Sequence, residues 1–531
     1  MATARLILPG FHPDPSICRR GNEYVIASST FGYFPGVPIH RSTDLIHWEQ
    51  VGHALDRPSQ LPLAGALATS GGIYAPTLRH HAGRFWLITT NVSHGGHFIC
   101  HAQDPAGPWS DPVWIDAAHQ GGIDPDLFWD DQGTCWVSCT RRDREPAEPH
   151  HGIWQFPIDP LTGQGLGDRR FTWGGSGGKS PEGPHLFRRG SWHYLLVAEG
   201  GTEYGHMVTI ARGPSPTGPW EPCPRNPILT HRSVGARFQS LGHADLVEAP
   251  DGAWSIVFLG VRQIGYPWTH HLGRETFIAP LRWSDDGWPE IMEGRPLGLE
   301  PPATPPPIAP AFAPGVDLWR SWTCLRDPAG ILANLAARPG WLRLHGRRHG
   351  LDAGRPSPEL MARPPWECPQ TSADLAEPIA FLGVRQRDFA LVASVTLDFV
   401  PADPDAEAGL AVFMSELCHY ALAIRSQGGR RVAVLVRCVL DLEAASTSGP
   451  LADGPLQLEV RATPYLYAFA VIDAAGRRHD LGTGLAKLLS TEVAGGFAGV
   501  FIGIYAVDPA NGAGAPADFS AFICRHGEPA A

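Results

Sequence analysis

Long apolar runs are missing from this chain of 531 residues, as are clusters of basic residues and sustained helical periodicity. No segment stays apolar long enough to cross a bilayer as a helix, which argues against a helical membrane protein. The short run Leu6-Ile7-Leu8 ends at Pro9-Gly10, too early for a signal-peptide core, so the expected location is the cytoplasm. With a formal net charge of −11 and no concentrated lysine or arginine, neither nucleic acid nor an anionic membrane surface is expected as a partner. None of the ten cysteines (Cys18, Cys100, Cys135, Cys139, Cys223, Cys324, Cys368, Cys418, Cys438 and Cys524) falls at zinc-site spacing. They are scattered through apolar strand patterns and are expected to be buried free thiols rather than disulfides.

Charge of either sign is scarce, at 18% of residues, whereas glycine (61) and proline (52) are abundant. That balance suits a turn-dense all-β protein, and the length requires more than one domain. A phrase recurs five times in the first 290 residues: a turn-like opening, an apolar pair, a short gap with glycine, then an aromatic-rich run. The copies begin at Asp14-Pro-Ser-Ile, Ala75-Pro-Thr-Leu, Asp124-Pro-Asp-Leu, Glu182-Gly-Pro-His-Leu and His243-Ala-Asp-Leu. Each reads as two strands joined by a tight turn, and a repeat of this kind predicts a five-bladed β-propeller over residues 1–299. The proline-dense stretch 300–314 reads as a stiff connector unable to join a sheet interior. Beyond it, alternating segments such as Phe389-Ala-Leu-Val-Ala-Ser-Val and Gly499-Val-Phe-Ile-Gly-Ile-Tyr predict a β-sandwich over 315–531.

The chemistry is expected where the repeat opens. If the innermost strands surround one axis, Asp14, Asp124, Glu182 and His243 converge on one mouth of the channel. Paired carboxylates facing a cavity suit glycoside hydrolysis, in which one acid protonates the leaving oxygen and another activates water. Glu182 has the reach for a proton donor, Asp14 between two prolines suits a fixed base, and Asp124 can keep Glu182 protonated by repulsion. Any one of these acids alone would also fit ordinary turn chemistry; their shared place in the repeat is what favours catalysis.

The motifs His12-Pro-Asp-Pro-Ser, Phe34-Pro-Gly-Val-Pro-Ile-His, Ile73-Tyr-Ala-Pro-Thr, Ile123-Asp-Pro-Asp-Leu-Phe, Pro181-Glu-Gly-Pro-His-Leu, Gly242-His-Ala-Asp-Leu-Val-Glu and Leu272-Gly-Arg-Glu-Thr resemble glycoside hydrolase family 43. The match is to its β-xylosidase and α-L-arabinofuranosidase branch, whose tail is a concanavalin-like jelly roll. The resemblance implies an inverting exo-glycosidase releasing terminal β-D-xylose or α-L-arabinofuranose from xylo- or arabinoxylo-oligosaccharides, with β-xylosidase favoured. It implies Asp14 as general base, Glu182 as general acid, Asp124 as pKa modulator and Arg274 as a contact to the sugar and the acids. Phe31, Tyr74 and Thr202 then line the sugar pocket, with Tyr74 standing where tryptophan is common. His243 matches an axial histidine that in some relatives helps hold water or a divalent ion such as calcium, although no cofactor is required.

The bland readings are a blade-to-blade ion pair for Arg274, a structural histidine for His243 and core aromatics for Phe31 and Tyr74. An endo-arabinanase or a non-catalytic carbohydrate-binding propeller are the alternative functions. Self-association into a homo-oligomer is compatible with the sequence.

Overall fold

The structure, a computed structural model, describes residues 3–142, 151–292, 295–326, 333–355, 378–510 and 512–527. Five antiparallel sheets form the blades of a propeller. The first four begin with inner strands Ser16–Arg20, Thr77–His81, Ile123–Trp129 and Glu182–Arg189, each followed outward by its sequence neighbours. The second strand of each blade is largely buried; in Arg84–Asn91 every residue after the first is buried. Blades stack face to face, so both sides of such a strand are covered, and its near-continuous apolar run follows from that.

The fifth blade was only partly legible. It runs outward through Phe238–Glu248, Trp254–Arg262 and Glu275–Trp283, and its fourth strand is the amino-terminal Thr3–Leu8. The apolar Leu6-Ile7-Leu8 therefore has a partner: it closes the ring by pairing the start of the chain with the last blade.

Two antiparallel sheets make the carboxy-terminal sandwich, one of eight strands and one of seven. Its core is a continuous set of buried aliphatic and aromatic residues such as Val395, Leu410, Leu458 and Ile504. The propeller strand Tyr33–Phe34 pairs with Thr323–Leu325 and so completes the edge of the eight-stranded sheet. At this seam Tyr33 stacks on Phe501 with ring centroids 4.2 Å apart, and Phe11 meets the same ring edge-on at 6.1 Å. A buried ion pair, Arg326–Glu416 at 2.8 Å, binds the propeller loop further: Glu416 accepts from the Ala68 amide and Arg326 donates to the Ala66 carbonyl. The proline-rich stretch is also engaged. Ile308 exchanges two backbone hydrogen bonds with Cys524, and Glu300 pairs with Arg5 at 2.6 Å. It lies against both domains as a strap.

All nine described cysteines are buried free thiols, while Cys368 lies outside the described residues. Among the described residues no helix is long and apolar enough to cross a membrane.

Candidate active site

The inner strands carry their opening residues to the axis through a repeated local distortion. Asp14 and Asp124 both have φ of 54° and His243 has 45°, left-handed values that non-glycine residues rarely adopt. In the third, fourth and fifth blades the pairing with the second strand slips at this point: between Ile123 and Asp126, Glu182 and His185, and Gly242 and Asp245. Such bulges re-aim a side chain out of the sheet, and strain of this kind gathers at functional sites. Gly183, with φ of 56°, is required by close approach, because a Cβ there would stand 2.9 Å from the His243 ring.

One pocket results, and all eight residues singled out in the sequence line it: Asp14, Phe31, Tyr74, Asp124, Glu182, Thr202, His243 and Arg274. Its volume is about 60 Å³, the scale of one small ring at most. Sites for larger ligands enclose roughly 300 Å³ or more.

Asp14 is clamped from both sides. Arg274 donates to its Oδ1 at 2.6 Å and Ser29 to its Oδ2 at 2.5 Å, with His243 Nδ1 3.8 Å from Oδ1. The carrying segments are tied together as well, since the His12 amide donates to the Arg274 carbonyl at 3.0 Å and Thr276 donates to the His12 carbonyl at 2.6 Å. Burial alone would raise the Asp14 carboxyl, but the Arg274 guanidinium, then His243 and the Ser29 hydroxyl, more than offset it and hold it below the usual carboxylate range. Glu182 goes the other way. Burial first, then the charge on Asp14, push it up to about 7 against the pull of Arg274 and Lys179. Asp124 is also raised, by burial and then by Glu182 and Asp14. Because the repulsion between Asp124 and Glu182 is mutual, the two titrate as a pair. The sequence pointed to Asp124 as the source of repulsion on Glu182; in the structure that charge is on ionised Asp14, and Asp124 is itself raised by Glu182 and Asp14.

One wall of the pocket holds a residue that the sequence reading missed. Phe497, from the sandwich, lines the pocket; its ring stacks on Phe31 with centroids 5.8 Å apart and stands 6.2 Å from Tyr74. Its carbonyl accepts from Arg274 Nη2 at 3.3 Å, and Arg274 lies 5.6 Å from the centroids of both Phe31 and Phe497. Nearby, a Cβ on Gly499 would meet the Leu272 carbonyl oxygen at 2.4 Å, so the sandwich loop touches the segment that delivers Arg274. The His270–Glu492 pair, 2.8 Å apart, fastens the turn before that loop to the propeller. Only an aromatic set among glycines, Gly495-Gly-Phe-Ala-Gly, could have signalled this. Phe497→Ala is expected to lower kcat/KM roughly tenfold, through loss of aromatic packing worth about 1–2 kcal/mol. Initial-rate kinetics on an aryl glycoside check it; an unchanged value would mean the sandwich does not complete the pocket.

Beneath this layer the channel is filled by charge already paired. Arg79 donates to Asp126 at 2.7 Å, to Asp245 at 2.8 Å and to His185 Nδ1 at 2.8 Å, and Ser16 donates to Asp245 at 2.8 Å. A divalent ion in the channel does not fit this donor set. Both deeper carboxylates are engaged by a guanidinium, and His243 Nδ1 faces Asp14. Among the described residues no three His, Cys, Asp or Glu side chains converge as a metal-holding group.

The profile of "Glycosyl hydrolases family 43" matches residues 3–289, and that of "Beta xylosidase C-terminal Concanavalin A-like domain" matches 312–525. The chain belongs to glycosyl hydrolases family 43. It is a glycoside hydrolase. Over 98% of this chain and 94% of the relative, it is 39% identical to "Non-reducing end alpha-L-arabinofuranosidase BoGH43B" of Bacteroides ovatus. It is 34% identical to "Xylosidase/arabinosidase" of Butyrivibrio fibrisolvens, covering 94% of this chain and 95% of that one. Among solved structures, xylan beta-1,4-xylosidase from Bacillus halodurans C-125 superposes with a TM-score of 0.86 at 32% identity, covering 98% of this chain and 99% of that one. These family 43 relatives span both domains, in keeping with a pocket that draws residues from each.

Proposed function

We propose that this family 43 enzyme removes single terminal pentoses from xylo- or arabinoxylo-oligosaccharides with inversion, acting chiefly as a β-xylosidase. The observation that carries the reading is the opposite electrostatic bias on two acids in one small pocket. Asp14 is held ionised by Arg274, while Glu182 is pushed to about 7 and keeps its proton in mildly acid solution. Glu182 then gives its proton to the glycosidic oxygen as the C1–O bond breaks. Asp14 takes a proton from the water that attacks C1 from the opposite face.

Both Asp14 oxygens are already held by donors, which suits a base that orients water better than a nucleophile that must rotate onto carbon. Asp124, itself raised by burial and by the charges of Glu182 and Asp14, shares the proton balance of the cluster. Arg274 holds Asp14 and reaches Thr202 at 3.4 Å, while Phe31, Tyr74 and Phe497 supply the apolar faces against a pentose ring. No step of this reading passes through a metal. The small pocket, walled by Phe497 of the sandwich, supports exo action over the long groove that an endo-arabinanase needs, and the polarised acids count against a purely binding propeller.

α-L-Arabinofuranose is the second reading, favoured by the 39% identical relative named for that activity. Parallel assays on aryl β-D-xyloside and aryl α-L-arabinofuranoside test the assignment: a higher kcat/KM on the xyloside is expected. A clear excess on the arabinofuranoside would move the main activity to the second reading, and no release from either would end the proposal.

A further inference from the structure

Where strand Thr3–Leu8, the proline-rich strap and the sandwich meet, a second cavity of about 350 Å³ shares no residue with the catalytic pocket. Two sandwich arginines, Arg385 and Arg387, face it together with two propeller histidines, His12 and His40. Arg385 is only 6% exposed. Its Nε donates to the Phe11 carbonyl at 2.7 Å, yet its Nη2 has no hydrogen-bond partner within the protein. Arg387 Nε, His12 Nδ1 and His40 Nδ1 are likewise buried without partners, although Arg387 Nη2 donates to the Pro306 carbonyl.

The acids nearby are engaged elsewhere. Asp388 turns to Arg262 at 3.6 Å, and Glu49 and Asp317 stand 3.8 and 3.7 Å from Arg320 at the outer rim. Burial, together with the neighbouring Arg387, presses Arg385 down to about 10, so it remains charged at neutral pH. Two neighbouring cations thus lie in the domain junction without a carboxylate partner among the described residues, an arrangement that costs stability unless a counter-charge enters.

We propose that this junction is a binding site for one phosphate-class oxyanion, gripped by Arg385 and Arg387 with the imidazoles of His12 and His40 completing the cradle. Guanidinium groups present forked N–H donors that match the several acceptor oxygens of such an anion, which chloride lacks. The bound anion bridges the propeller to the sandwich. It also buttresses the loop of the catalytic base, because His12 is held to Arg274 and Thr276 two residues before Asp14.

Thermal unfolding of the full chain tests this, with inorganic phosphate, ribose 5-phosphate and sodium chloride compared at matched ionic strength. A rise in midpoint of about 3 °C is expected at roughly a hundred times the dissociation constant of a phosphate compound, growing with the logarithm of its concentration above that constant. Whichever of the two phosphate compounds reaches that rise at lower concentration shows whether the anion is bound free or esterified. The rise should disappear in Arg385→Gln and in Arg387→Gln. Should Arg385→Gln fail to fold, Arg387→Gln decides alone, since Arg387 is only half-buried. A shift that is absent at low concentration and then grows linearly is the general effect of a kosmotropic salt and would overturn the proposal, as would a logarithmic rise retained in Arg387→Gln.

Discussion

Asp14→Ala is expected to lower kcat/KM by roughly 10³-fold or more, on xylobiose and on an activated aryl xyloside alike, because the attacking water loses its base whatever the leaving group. The substitution has a second, separable effect. Ionised Asp14 helps to hold Glu182 near 7, so its removal should shift the residual alkaline limb of kcat/KM to lower pH. The sign follows from Glu182 acting in its protonated form. With less repulsion its proton leaves earlier as pH rises. Residual activity that keeps the parent's alkaline limb would show that Asp14 does not act on Glu182.

Glu182→Ala should separate the two substrates. Xylobiose has a sugar alcohol as leaving group and depends on protonation, so its cleavage should fall by about 10²–10⁴-fold. An activated aryl xyloside, whose phenolate leaves with little help, should lose far less. The parent profile is bell-shaped in this account: activity falls at low pH as Asp14 is protonated below the usual carboxylate range, and at high pH as Glu182 ionises near 7. On the aryl xyloside the variant should lose the alkaline limb. Equal losses on the two substrates, with that limb intact, would remove Glu182 from the donor role.

The blades and the acids were legible because both depend on local pattern. Strand, turn and strand recur at each inner position, and a repeat superimposes equivalent residues without any knowledge of distant partners. Reading two to four residues further along each inner strand would have exposed the deeper layer of Ser16, Arg79, Asp126, His185 and Asp245. Those polar residues recur in otherwise apolar strands for the same geometric reason. Other features depend on long-range partners, which hydrophobic alternation does not encode. Thr3–Leu8 reads as apolar, but nothing in it names the fifth blade as its neighbour. Tyr33–Phe34 sits in a propeller motif and yet pairs with Thr323–Leu325. Phe497 reaches the pocket from a domain whose sequence resembles a separate sandwich. Ser29 is one hydroxyl in a run of three, Ser28-Ser-Thr, and only the fold selects which of them meets Asp14.

The central claim, a base and an acid acting on opposite faces of one terminal pentose, is tested most directly by proton NMR of the first-formed sugar. With an aryl β-D-xyloside as substrate, the account predicts that α-xylose appears first and that the β anomer grows only at the rate of mutarotation. Initial appearance of β-xylose would establish a retaining mechanism and contradict the roles assigned to Asp14 and Glu182.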